Sequence, residues 1–141
     1  MIIGHLATAV LLKHYFPEES PLPLFAGSIF PDLADKLLKY VLKLHAGRSL
    51  FHSVLGLLLT TAVLTLLGNK QITRSWTLGY LSHIVCDSGN TIPWLYPFRG
   101  YKFGYSPYTY PQKIIRTITH PQPAETLLVI WAYLVSNKQI R

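Results

Sequence analysis

Apolar residues dominate this chain in long runs, separated by breaks rich in proline and glycine, and the spacing within the runs is helical. Ile2 to Tyr15 (IIGHLATAVLLKHY) reads as a mostly apolar helix, closed by FPEESPLP, where Pro17, Pro21 and Pro23 prevent continuation. A short apolar piece, Leu24 to Phe30, leads to Pro31, which suits a first helical turn with Asp32 near the positive end of the helix dipole. The stretch DLADKLLKYVLKL then has apolar residues at 33, 37, 38, 41, 42 and 44 and lysines at 36, 39 and 43, an amphipathic helix. Leu50 to Gly68 (LFHSVLGLLLTTAVLTLLG) has no Lys, Arg, Asp or Glu. As one helix it would measure roughly 28 Å, close to the ~30 Å of a bilayer core, which predicts a transmembrane helix. The uninterrupted part, Val54 to Gly68, also suits the central helix of a small soluble bundle. Gly68 and Asn69 break the run, Ile72 to Asp87 forms another helix, and Ser88, Gly89 and Asn90 end it. Thr91 to Pro111, rich in Tyr, Pro, Gly and Trp, reads as an ordered loop suited to a membrane interface, and a last helix covers about Pro123 to Val135. No alternation is long enough for a sheet, so the expectation is one all-α domain over residues 1–141, a bundle of about five helices.

Composition changes the picture in one respect. Half of the 141 residues are apolar and only 13% are charged, about half the usual share, which excludes a disordered chain and leaves too little polar surface to coat an ordinary globule. Much of the surface is expected to meet lipid or a partner. The 13 Lys and Arg against 6 Asp and Glu, a formal charge of +7, predict an anionic neighbour: nucleic acid, an acidic headgroup or a phosphorylated substrate. The lone Cys86 excludes an intrachain disulfide, and the first residues lack the basic region of a cleavable signal peptide.

The candidate chemistry lies at the helix ends. His83 and Asp87, four residues apart, share one helix face about 5 to 6 Å apart at Cβ, a gap that one metal ion or a plain hydrogen bond can span. With a tight connection at Gly68 to Lys70 and up-down packing, His52 at the start of one helix meets His83 and Asp87 at the end of the next. His5, and Asp32 after the chain has returned through Leu24 to Phe30, reach the same end. Five candidate metal ligands, His5, Asp32, His52, His83 and Asp87, thus converge from separate segments. In so apolar a chain each would be costly to bury unpartnered. Nitrogen and oxygen donors without thiolate suit Zn²⁺, Mn²⁺ or Fe²⁺, as one ion or two.

The segments HLATA, FPDLAD, RSLFHS, GYLSHIVCD and PWLYPF together resemble the membrane-bound metal-dependent hydrolase family of bacteria and archaea, catalogued as domain of unknown function 457. That family is distantly similar in ligand order to the zinc-dependent phospholipase C and single-strand nuclease group. The resemblance spans about residues 4 to 103 and implies metal ligation by His5, Asp32, His52, His83 and Asp87, with Asp35 completing a paired-aspartate motif. Gly47, Ser49 and Phe51 replace the family's usual His, Gly and Thr around Arg48, His52 and Ser53, and the extra His and Glu of a third zinc position have no match.

The leading expectation is therefore a membrane-bound metal hydrolase of a phosphoester, lipid-like rather than nucleic acid. A water acidified by the ion would attack phosphorus, and Asp32 or Asp35 would accept its proton. Arg48, with no carboxylate in the sequence to pair with, would bind a phosphate oxygen, Ser53 would hold a ligand by a hydrogen bond, and Lys36, Lys39, Arg99 and Lys102 either meet phosphate or form a solvated face. His14, His45 and His120 read as surface residues and Cys86 as a packed small hydrophobe. The alternative is a noncatalytic membrane protein whose helices a metal cross-links, serving as a regulator or assembly partner; a soluble nucleic-acid binder ranks last. Lys36, Lys39, Lys43 and Arg48 at the metal end, against Lys70 and Arg74, predict a cytoplasmic-facing site in a prokaryotic inner membrane.

Overall fold

In a computed structural model of the chain, residues 2–41, 48–88, 92–101, 112, 115–116, 119–120 and 122–138 are described. The architecture is all-helical, with no strand among these residues: α1 is Ile2–Tyr15, α2 Pro21–Val41, α3 Val54–Leu66, α4 Lys70–Cys86 and α5 Pro123–Lys138, with a 3₁₀ turn at Leu50–His52 before α3.

Two expected boundaries move, each for a local physical reason. The apolar stretch from Leu50 to Gly68 is not one helix, because the Ser53 hydroxyl accepts the Gly56 N–H (3.2 Å) as the N-cap of α3 and isolates the 3₁₀ turn before it. Helix α3 therefore has 13 residues, roughly 20 Å, and no helix among the described residues is long and apolar enough to cross a membrane. Conversely, Pro31 does not start a helix but lies inside α2, which begins at Pro21, where the first-turn N–H groups have no intrahelical partner to lose. An interior proline removes the N–H that would serve the Gly27 carbonyl, and the turn it disturbs contains Ser28, whose carbonyl takes a partner from another helix.

The centre of the molecule is the packing of α2 against α4, with α3 and α1 also against α4 and α5 against α1. Gly27 and Gly79 make the α2–α4 approach possible: a Cβ on Gly79 would collide with the Leu24 carbonyl, and one on Gly27 with the Trp76 carbonyl. Tyr80, Ile84 and Ile92 form the core here, with Phe30, Leu57 and Trp76 packed around them. A second cluster, Ala7, Leu11, Ala132 and Val135, joins α1 to α5, and Glu125 near the start of α5 accepts the otherwise orphaned Gly4 N–H of α1 (3.0 Å). Between α3 and α4 the chain turns at Gly68, whose φ of +80° is left-handed, and Asn69 caps α4 by accepting the Ile72 N–H (2.9 Å). That tight turn returns the end of α4 to the level at which α3 begins.

Candidate metal centre

The five expected ligands meet at one end of the bundle. His5 comes from the first turn of α1, Asp32 from the middle of α2, His52 from the 3₁₀ turn, His83 from the last turn of α4 and Asp87 from its C-cap. Two sets of donor atoms each lie within 4.8 Å of one another, His5 with His83 and Asp87, and Asp32 with His52 and His83. His5, His52, His83 and Asp87 are buried, and Asp32 is partly so.

Asp35 organises the turn that carries His52. One of its oxygens accepts from the Ser49 N–H (2.7 Å), the His52 N–H (3.1 Å) and His52 Nδ1 (2.7 Å). The other accepts from the Ser49 hydroxyl (2.8 Å) and the Phe51 N–H (3.1 Å). Burial alone would raise the pKa of Asp35, but the bonds from His52 and the backbone of the turn outweigh it and hold the carboxyl below its usual range. Because a carboxylate only accepts, Nδ1 of His52 bears the hydrogen and Nε2 presents a lone pair. On the other side, Nδ1 of His83 lies 2.7 Å from the Ser28 carbonyl, also an acceptor only, so Nε2 of His83 is likewise bare. These two Nε2 atoms face each other at 3.2 Å. Two lone pairs repel at that distance unless a cation, either a proton or a metal ion, lies between them.

The remaining donors fit the same description. His5 stacks on His83 with ring centroids 3.8 Å apart, neither of its nitrogens has a hydrogen-bond partner, and Nε2 stands 3.5 Å from Asp87 Oδ1. From His52 Nε2 it is 3.6 Å to Asp32 Oδ1 and 3.8 Å to Asp87 Oδ2. Two ligands bonded at about 2.1 Å and separated by a tetrahedral angle stand about 3.4 Å apart, so these spacings suit one shared ion. The electrostatics divide accordingly. Burial, then the charge of His5, pushes His83 down to about 4. For His52 and His5 burial acts in the same direction, but Asp32 and Asp35 around one and Asp87 beside the other raise both above their ordinary value. Burial would raise both carboxyls, yet contact with His52 and the charge of Lys36 hold Asp32 far below the usual range, and His5 and Arg48 bring Asp87 down to about 2.

Other expected roles change once neighbours are known. Both oxygens of Asp35 are committed to the turn, so it positions His52 and has no lone pair directed at the cluster to accept a proton. Arg48 does find a carboxylate: Nη2 is 2.6 Å from Asp87 Oδ2, a close ion pair without the alignment of a hydrogen bond. Ser53 holds no ligand; its hydroxyl donates to the Leu50 carbonyl (2.6 Å) while capping α3. Lys36 pairs with Asp32 (3.6 Å), His120 bonds Thr119 away from the cluster, and His45, Lys43 and Lys102 lie outside the described residues. Cys86 is more than filler: its sulfur is 3.4 Å from the Thr8 hydroxyl, and contact with His5 lowers its thiol pKa. The partners that sequence reasoning missed are Ser49 and the Ser28 carbonyl. Ser49 stands three residues before His52, a spacing that a capping analysis would have singled out, but a backbone carbonyl leaves no mark in a sequence.

No curated protein and no solved structure matches the chain. A family model described as YdjM inner membrane protein matches residues 1–139, and the chain belongs to that family.

Proposed function

We propose that this inner-membrane family member binds a divalent ion, zinc in the first instance and Mn²⁺ or Fe²⁺ as alternatives, and uses it to hydrolyse a phosphoester. The observation that carries the reading is the pair of bare Nε2 atoms of His52 and His83, 3.2 Å apart, each fixed by an acceptor on its far nitrogen. A bound ion supplies Lewis acidity, lowering the pKa of a water toward neutrality and polarising a phosphoryl oxygen. His83 belongs to both donor sets but has one lone pair, so it could hold only one ion; His5 and Asp87 would help to hold that same ion or, without His83, a second.

The chain's own residues divide the remaining work. Asp35 holds the His52 ring in its tautomer and direction, and the Ser28 carbonyl does the same for His83. Asp32, whose side chain keeps 14% exposure, is the carboxylate at the open side and the one able to take a proton from an incoming water. Lys36 and Arg48, 26% and 28% exposed at their side chains, put positive charge at the rim where a phosphate would arrive. With Lys39, they support a cytoplasmic-facing site by the positive-inside tendency.

The test is metal content and turnover measured together. Wild-type protein is expected to retain about one or two equivalents of zinc and to cleave bis(p-nitrophenyl) phosphate, and His52→Ala and His83→Ala are expected to lose both. Retained metal with no cleavage across a panel of phosphomonoesters and phosphodiesters would assign the site to cross-linking α1, α2, the 3₁₀ turn and α4. Wild-type protein without affinity for any divalent ion would remove the reading altogether.

A further inference from the structure

An apolar groove of about 380 Å³ opens between α3 and α4, lined by Leu50, Phe51, Leu59, Thr60, Val63 and Trp76 among others. Its volume lies within the range of ligand sites. The few polar groups along it are already used. The Thr60 hydroxyl donates to carbonyls of its own helix, Gly56 (3.0 Å) and Leu57 (3.1 Å), and accepts from Trp76 Nε1 (3.4 Å). Among the carbonyls of the 3₁₀ turn, Phe51 accepts from the Tyr80 hydroxyl (2.7 Å) and Leu50 from the Ser53 hydroxyl (2.6 Å). A peptide or a nucleic acid laid here would lose hydrogen bonds to water and gain none; a hydrocarbon chain loses nothing.

The groove and the metal-ligand cluster share a single turn of chain. Within Leu50–His52, Leu50 and Phe51 form the wall of the groove while His52 reaches into the cluster. From that turn the wall continues along α3 through Leu59 and Val63, both of which remain about half exposed, at 48% and 58%. A molecule with a hydrocarbon tail in the groove and its head on the His52 side would meet Arg48 and Lys36, each beside a carboxylate of the cluster, Asp87 and Asp32 respectively. In an inner-membrane family, acyl chains are the hydrocarbon at hand.

We infer that the groove between α3 and α4 binds one acyl chain of a membrane phospholipid, whose phosphate-bearing head is directed to the His52 side of the cluster. This deepens the hydrolase reading and rests on it for the fate of the head, but the seat of the tail can be measured without metal or turnover. Trp76 is a built-in reporter. In a Trp94→Phe, Trp131→Phe background it is the one remaining tryptophan, since the chain has 3. The protein is held in bile-salt micelles, which carry no long alkyl chain, and titrated with phosphatidylglycerol brominated on one acyl chain. Trp76 fluorescence is expected to fall and saturate near one lipid per protein. Val63→Phe and, independently, Leu59→Phe fill the groove from half-exposed positions and are expected to weaken the titration at least fivefold. Quenching that rises without saturating, or that both variants leave unchanged, would overturn the inference. In turnover, Val63→Phe is expected to lower kcat/KM at least fivefold for p-nitrophenyl dodecyl phosphate and to leave bis(p-nitrophenyl) phosphate unaffected; an equal effect on both would also overturn it. Saturable quenching by a protein that cleaves neither substrate would leave the tail seat standing and remove the hydrolase, and cleavage without quenching would do the reverse.

Discussion

Asp35→Asn is the most informative single change, because it alters one atom and one charge while preserving shape. The carboxylate accepts five hydrogen bonds, three at one oxygen and two at the other. An asparagine best keeps its oxygen toward the Ser49 N–H, the His52 N–H and His52 Nδ1, which turns its NH₂ toward the Ser49 hydroxyl and the Phe51 N–H. The hydroxyl can rotate and accept, but the Phe51 N–H then faces another donor, a cost of about 1–3 kcal/mol for a buried group left unsatisfied. The three retained bonds lose their charge assistance, each falling from about 1.5–3 to about 0.5–1.5 kcal/mol. The total is about 4–7 kcal/mol, out of roughly 5–15 for a domain, and shifts Tm down by about 13–24 °C at this chain length. His52 also loses the group that fixes its tautomer, so zinc affinity is expected to fall about 10- to 100-fold. Thermal unfolding in detergent and zinc competition against a chromophoric chelator measure the two effects, with Ser49→Ala as the comparison that removes one hydroxyl and leaves the His52–Asp35 bond. An Asp35→Asn protein that melts within about 2 °C of wild type and binds zinc within threefold would refute the assignment of Asp35 as the positioning group.

Three further outcomes follow from the same geometry. His5 and His52 are held above an unfolded value of about 6.5, so their stabilisation of the metal-free protein is complete below that pH and disappears as pH rises through the raised folded values. Zinc competes with those same protons. Its affinity is expected to rise with pH over that window and then level off, with proton release visible as a dependence of calorimetric heat on buffer ionisation; pH-independent binding would contradict the proton-for-metal exchange. Gly79→Ala must push α4 away from the Leu24 carbonyl, costing about 1–3 kcal/mol and lengthening the His83–Ser28 contact, so both Tm and zinc affinity should fall, whereas Gly100→Ala, with open space around it, should change neither. Ser53→Ala is expected to cost about 1 kcal/mol in stability through loss of the α3 cap and to leave zinc affinity within twofold; a large loss of affinity would restore the ligand-holding role that its sequence position suggested.

The convergence of His5, Asp32, His52, His83 and Asp87 was legible because it depends on coarse quantities: which residues lie near helix ends, and which ends a short connection brings together. Gly68 and Asn69 announce the α3–α4 turn by their residue types alone. The roles of Asp35 and Ser53 were not legible, because Asp35 depends on backbone N–H groups in and beside the 3₁₀ turn and Ser53 on the Gly56 N–H and the Leu50 carbonyl, and a sequence does not show which side chain will face which backbone group. The spacing of Asp32 and Asp35 puts them on adjacent parts of α2 and makes them look interchangeable, yet one keeps partial exposure beside His52 Nε2 and the other is sealed against Nδ1 of the same ring. The 19-residue span failed for a different reason. Counting apolar residues passes over Ser53, whose capping bond ends one element and starts another without adding any charge.

That broken span bears on how an inner-membrane family accommodates so polar a centre. Helix α2 has 21 residues, roughly 31 Å, so its length is adequate for a bilayer and its charges, Asp32, Asp35, Lys36 and Lys39, are what disqualify it. A buried carboxylate costs several kcal/mol unless it is paired or hydrogen-bonded. Asp35 meets that condition through its five donors, and Asp32 through Lys36 and His52. At the other end of the bundle Glu19 meets it through Arg74 (2.6 Å) and Ser75 (2.7 Å). With ionic groups gathered into these two networks, the sides of the bundle are left to residues such as Leu58, Val63, Leu66, Leu127 and Leu134, all well exposed. Apolar sides and ionic ends are the distribution that an interface between lipid and water selects. His5 and Asp87 stand apart from the two networks, buried side chains whose polar atoms have no hydrogen-bond partner among the described residues. Asp87 already has one cation beside it, Arg48 at 2.6 Å, whereas both nitrogens of His5 lie buried without a hydrogen bond in a fold that satisfies Asp35 five times over, so His5 is the side chain for which a bound cation would be the missing partner.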